Sequence, residues 1–198
     1  MSVTTAYVSD LPLEWTSPVL TSRSPVEPGV VLWDLDLVLL PSRRLDREAH
    51  RVAFARVTGK RPVHEPPMLD QTDPLYAVDL LCQNGFARIG ARRTLPVYLP
   101  ALTTAYRALA KRRPWLLPRP CPDAFARLRR SATVPGAFIT TKLRPNALLT
   151  LSATGLDQYL DPSAGAFGSD HVDRAKLAEI ALARAERNYG VERSGAAL

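Results

Sequence analysis

The chain has 198 residues, of which 46% are hydrophobic and 23% charged, and its net charge is +7. That length suits one domain, or one domain with a modest insertion, and the composition supplies a real apolar core, which excludes a disordered or fibrous chain. No run of about 18 apolar residues occurs, no secretory signal pattern opens the N-terminus, and Cys82 and Cys121 are the only cysteines; a reduced, cytoplasmic protein without a membrane span is expected.

Residues 1–28 are rich in Pro, Ser and Thr without a clear period and read as an irregular arm. "VVLWD" (Val30–Asp34) is a short continuous apolar run, the mark of a buried strand. "LDREAHRVAFARVTG" follows, with Ala49, Val52, Ala53 and Val57 at helical spacing and Gly59 as a stop. A Pro-rich loop leads to "LYAVDLLCQNG", a second helix closed by Gly85. "PALTTAYRALAKRR" is a third, with basic residues in its last turn, where they suit the helix dipole. "PWLLPRPCP" breaks the chain before a fourth helix, "CPDAFARLRRSA". "GAFITT" is a second strand, and "RPNALLTLSATG" is a helix with Pro145 near its start and Gly155 after it. A weak strand near Ala164–Phe167 precedes the long amphipathic helix "DRAKLAEIALARAERNYG". Strands alternating with helices predict an α/β fold with a parallel sheet.

The charge is uneven. Residues 41–130 carry eighteen Lys and Arg against seven acids. Such a segment suits anionic partners, or is simply a solvated Arg-rich surface. Aromatic residues do not interleave with the arginines as on a nucleic-acid stacking platform, so nucleic acid is not the expected partner.

Asp34 and Asp36 stand out in the apolar stretch "VVLWDLDLVLL". Functional groups gather past the carboxyl ends of parallel strands. Two carboxylates there could hold a hard cation such as Mg²⁺, or divide the roles of nucleophile and acid/base. They could equally mark a strand end and face water. His50, His64 and His171 have no metal-ligand spacing. Trp15, Trp33 and Trp115 read as packing residues, both cysteines as small apolar ones, and Thr72–Pro74 as a turn or else a loop that helps select substrate.

The arrangement resembles the haloacid dehalogenase (HAD) superfamily of phosphohydrolases. "VVLWDLDLVLL" is similar to its first motif, a strand followed by D-x-D. "FITTKLRPNALLTLSATGLDQYLD" is similar to its second, a strand ending in Thr or Ser. "GAFGSDHVDRAKLAEIA" is similar to the region of its third, which supplies a basic residue. The resemblance is nearest the phosphoglycolate-phosphatase-like branch. It implies a Rossmann-like core over residues 29–40 and 119–198, with a short parallel sheet, and an inserted helical cap over residues 41–118. Asp34 matches the nucleophile and a Mg²⁺ ligand. Asp36 matches the acid/base, and its backbone carbonyl the metal. Thr140 matches the hydroxyl that holds a phosphate oxygen. Arg174, or else Lys176, matches the charge-balancing base. Implied chemistry is Mg²⁺-dependent hydrolysis of a small phosphorylated metabolite through an aspartyl-phosphate.

Two departures qualify this. Leu37-Val38 stands where the family carries Gly-Thr, and Leu does not readily take positive φ. The family's fourth motif, a strand whose acids complete the Mg²⁺ site, would begin near Gly190, and eight residues follow that glycine. A weakened or lost Mg²⁺ site is therefore expected, and with it a second reading: a catalytically inactive HAD-like protein, truncated or used for binding or regulation. Lacking that strand, "VVLWD" would be an open apolar edge, expected to be covered by a second copy, a protein partner or the chain's own N-terminal arm.

Overall fold

The protein is described here from a computed structural model, which covers residues 30–68, 71–131 and 136–190 together with the backbone of Thr4–Thr5. The expectations for the rest of the N-terminal arm, Trp15 included, lie outside the described residues. In chain order the main elements are β1 (Thr4–Thr5), β2 (Val31–Asp34), four successive helices α1 (Arg44–Thr58), α2 (Asp73–Gln83), α3 (Arg88–Arg112) and α4 (Pro122–Arg130), and then alternating β3 (Gly136–Ile139), α5 (Arg144–Thr154), β4 (Gly165–Ala166) and α6 (Arg174–Tyr189). The sheet has the order β1-β2-β3-β4 and every pairing is parallel. The chain is thus α/β, as its alternating pattern predicts.

Strand periodicity sorts the side chains between two apolar layers. On one face Leu32, Ala137, Ile139 and Ala166 pack against Leu177, Ala181 and Ala185 of α6. On the other, Phe138 and Phe167 meet edge to face, their ring centroids 5.6 Å apart, among Ala124 and Leu128 of α4 and Ala147 and Leu151 of α5. Small alanines on the α6 side let that helix lie close to a sheet of short strands. Left-handed glycines end three helices where expected: Gly59 (φ 73°) after α1, Gly155 (φ 70°) after α5 and Gly190 (φ 65°) after α6.

The helical block between β2 and β3 has its own core. Leu45, Ala49, Phe54, Tyr76, Leu80, Leu81, Tyr98, Leu102 and Tyr106 are all buried there, and Leu143 from the core joins them. This block is fused to the sheet region rather than standing apart from it: the Tyr106 hydroxyl lies 2.7 Å from Thr150 Oγ1 of α5.

Three expectations change. Helix α3 is twelve residues longer at its start than the pattern from Pro100 suggests, because Pro96 and Pro100 lie inside it. Each proline deletes one backbone donor, but both are exposed, so water can serve the freed carbonyls. Trp115 does not pack; it is 71% exposed. Thr72–Pro74 is no mere turn: it starts α2, with Thr72 at the N-cap and Pro74 in the first turn. Both cysteines are free and partly buried, Cys82 against the helical block and Cys121 against the α4–α5 layer.

The open edge of β2 is met by the N-terminal arm. Thr4 pairs with Val31 and Thr5 with Leu32. Trp33 and Asp34 pair on the other side with Phe138 and Ile139.

Backbone packing is tightest where the sheet ends meet the following loops. A Cβ on Gly168 would lie 2.0 Å from the Thr141 carbonyl oxygen and 2.7 Å from its carbon, whereas one on Gly90 in α3 would meet nothing within 4 Å. Gly168→Ala should cost about 2 kcal/mol or more by overpacking against backbone, while Gly90→Ala should add about 0.5–1 kcal/mol through helix propensity. Urea denaturation of the two variants checks the contrast.

Candidate functional site

Where β2 ends, the chain turns through a single π-helical turn, Leu35–Leu39, with Asp34 as its N-cap. The Asp34 Oδ1 accepts the amides of Asp36 (3.0 Å) and Leu37 (2.9 Å). These are the orphan donors of any helical N-terminus. A right-handed turn needs no glycine, so Leu37-Val38 fits it. Oδ2 of the same carboxylate is ion-paired with the guanidinium of Arg174, which opens α6. The structure therefore brings Asp34 together with Arg174 across 140 residues of sequence. Lys176 instead pairs with Glu179 at the surface, 2.9 Å away.

Asp36 points the other way, inward, and is 1% exposed. One oxygen, Oδ2, accepts hydrogen bonds from Thr140 Oγ1 (3.0 Å), the Thr141 amide (2.6 Å) and Thr141 Oγ1 (2.8 Å). Its Oδ1 faces the Lys142 ammonium at 3.2 Å and the Arg43 guanidinium at 3.7 Å. Burial by itself pushes this carboxyl up. The charges of Lys142 and Arg43, with the hydrogen bonds from Thr141, outweigh burial and hold it far below the usual carboxylate range.

Lys142 is itself fully buried, and its ammonium also contacts both oxygens of Asp46 at 2.8 Å. Burial draws its pKa down, but Asp36 and Asp46 overcome that and leave it above the ordinary lysine value. Arg43 donates to Thr141 Oγ1 at 2.8 Å and stands 3.9 Å from Asp46. A second buried knot lies alongside. Asp73 accepts the Leu143 amide at 2.8 Å and sits 3.2 Å from His50 Nε2, while His50 Nδ1 is 3.1 Å from the Tyr98 hydroxyl. Burial pushes the Asp73 carboxyl up, and His50, Lys142 and the Leu143 amide bring it below its ordinary value. Asp46 and His50 come from α1, Asp73 from α2 and Tyr98 from α3, so residues 140–143 are gripped by the whole helical block.

The four residues expected at the site thus divide. Asp34 and Arg174 form one contact, each with a side chain 14% exposed. Asp36 and Thr140 form another, sealed beneath it. Thr140 spends its hydroxyl on Asp36 and on the Lys142 amide (3.2 Å), not on a site for an incoming oxygen. Asp170 is paired with Arg184 at 2.6 Å, and Asp173 caps α6 through the Ala175 amide. His171 accepts the Asp173 amide through Nδ1 at 2.9 Å. Sequence reasoning missed Arg43, Asp46, Thr141 and Lys142. The one signal available was Lys142 itself, a charge set directly after an apolar strand and two threonines.

A Mg²⁺ ion needs several carboxylate or water oxygens in octahedral array. Both oxygens of Asp34 and Oδ2 of Asp36 are already engaged by amides, hydroxyls and a guanidinium, and Asp36 Oδ1, which accepts no hydrogen bond, faces the cations Lys142 and Arg43 rather than open space. Among the described residues, no group of three or more His, Cys, Asp or Glu could hold a metal. As arranged here, these residues do not fit the ion. Beside Asp34 lies a groove of about 300 Å³, walled by Trp33, Leu37, Val38, Cys121, Ala124 and Arg127 and mostly apolar.

No family model matches this sequence, and neither does any curated protein. Among the described residues no helix is long and apolar enough to cross a membrane.

The ion cluster sets a stability window. Asp36 is held below its unfolded value of about 4, so its contribution is complete above that pH and drains as pH falls through the folded value. Lys142 is held above its unfolded value of about 10.4, so its contribution is complete below that pH and drains as pH rises through the folded value. Tyr76, raised by burial to about 12, drains in the same alkaline window. Urea midpoints should be flat from about pH 5 to 9 and fall on either side. Asp36→Asn and Lys142→Met should each cost about 3–5 kcal/mol, because each strands a buried charge, and the double variant should cost less than the sum.

Proposed function

We propose that this chain is a HAD-like α/β protein in which the aspartate pair holds the fold together and does not carry out phosphoryl transfer, so that its role is binding or regulation. The observation that carries this reading is the state of Asp36. An acid/base must exchange a proton with its substrate near the working pH. Asp36 is buried, and Lys142, Arg43 and three hydrogen bonds keep it charged. Held as a carboxylate and sealed from solvent, it is poorly placed to hand a proton to a leaving group. The three cations Arg43, Lys142 and Arg174 do for the carboxylates what a divalent ion would do: they balance the charge. The apolar groove beside Asp34 is the concavity in which such a protein would hold a small ligand.

A second reading is favoured by a different contact. Asp34 lies at the carboxyl end of a parallel strand, partly open, with Arg174 on its Oδ2. That is the pairing a phosphoryl-accepting aspartate needs, since catalysis of this transfer is mainly positioning and charge stabilisation. In this reading the protein is a phosphatase of small phosphate monoesters, and the Asp36 cluster must open to admit Mg²⁺.

Hydrolysis of an aryl phosphate, followed with and without Mg²⁺ for the wild type and Asp34→Asn, separates the two. The expected result is no turnover above the blank in all four measurements, with calorimetry showing no Mg²⁺ binding. Mg²⁺-dependent turnover that Asp34→Asn abolishes would establish the phosphatase instead.

A further inference from the structure

Helix α3 presents an outer face whose chemistry the site above does not use. Between Asp79 and Asp123 the sequence contains no acid and eight Lys and Arg. The helix runs for about 37 Å at 1.5 Å per residue. Residues 89, 93, 96, 97, 100, 104, 107 and 111 recur at steps of three and four, and so share one stripe. All are exposed. Two of them are large apolar side chains that a solvated face does not call for: Ile89 is 70% and Val97 65% exposed, and Phe86 just before the helix is 37% exposed. Arg92 and Arg93 lie between Ile89 and Val97, and neither has a hydrogen bond or ion pair among the described residues. Arg88, next to them, is held only loosely, 3.8 Å from Asp79.

From this juxtaposition we propose that the Phe86–Val97 end of α3 is a docking surface for an acidic, amphipathic protein segment. Such a segment seats apolar side chains on Ile89 and Val97 and carboxylates on Arg92 and Arg93. Its two halves answer the two halves of the surface. Guanidinium forks pair bidentately with carboxylates, and arginines set among exposed apolar side chains are residue types enriched at the centres of protein interfaces. A second copy of this chain is a poor occupant, because two acid-free faces would oppose like charges. Duplex nucleic acid would answer the arginines, but a phosphate backbone has no use for the isoleucine and valine; an anionic bilayer answers both, and the vesicle arm of the test separates it from a protein segment. This surface does not depend on how Asp34 and Asp36 are read.

The test uses the full chain and a fluorescein-labelled helical peptide with leucines along one face and glutamates flanking them, read by anisotropy. Wild type should bind it. Ile89→Ser/Val97→Ser and Arg92→Glu/Arg93→Glu should each weaken binding at least about tenfold with melting temperatures unchanged, as should replacing the peptide's leucines by serine. Absence of binding would overturn the proposal, as would binding indifferent to Ile89 and Val97. Equal or tighter binding to random duplex DNA would overturn it in favour of a purely electrostatic surface, and equal or tighter binding to phosphatidylserine–phosphatidylcholine vesicles, whether or not Ile89→Ser/Val97→Ser weakens it, would overturn it in favour of a membrane surface.

Discussion

A carboxylate removed from water stays charged only if its surroundings compensate for the solvent it gives up. Asp36 is compensated unevenly: one amide and two hydroxyls donate to Oδ2, while Oδ1 accepts no hydrogen bond and is held by the charges of an ammonium and a guanidinium. Those partners come from α1's entry, from the loop after β3 and, through Asp46, from α1 itself. The rest of the structure depends on this cluster, because it is the point where the helical block, the π turn after β2 and the loop after β3 are joined. Replacing it by apolar side chains would require all three segments to be refitted together.

The cluster also explains how the helical block sits on the sheet. Lys142 lies between Asp36 of the core and Asp46 of α1. One residue on, the Leu143 amide reaches Asp73 of α2, and the Leu143 side chain enters the core of the block. Charge, backbone and apolar surface are thus crossed at four consecutive residues. An inserted block that moved freely to admit substrate would have to part all of these contacts at once. Any catalytic role that needs the block to move would have to overcome the sum of these contacts.

Asp34 differs from Asp36 because its position is different, not its chemistry. Two residues apart, the carboxylates leave a turning chain in opposite directions. Asp34 caps the turn and meets Arg174 near solvent, while Asp36 is carried inward. Arg174 reaches it because Asp173 caps α6 and fixes where that helix starts. Alanines at 181 and 185 then let α6 lie close on the sheet.

Much of this was legible in the sequence. Apolar runs of four or five residues located β2 and β3, helical spacing located α1, α2, α5 and α6, and Gly59, Gly155 and Gly190 marked their ends, because each of these signals is local and acts within one or two turns of chain. Only the resemblance in motif order singled out Arg174, or else Lys176, as a base near Asp34; no local pattern in the sequence pairs Asp34 with Arg174. The extent of α3 was not legible: an interior proline costs a backbone donor and a ring clash with the carbonyl four residues back, and whether the helix continues regardless is set by packing along the rest of its length, which local sequence does not show. The partners of Asp36 were also hidden, since Arg43, Asp46 and Lys142 are unremarkable charges until about a hundred residues of separation are folded away. The sequence by itself determined that two acids end a buried strand in an α/β chain. Only the tertiary structure decided that one of them is sealed among cations, because burial and electrostatic neutralisation are properties of what surrounds a group in space.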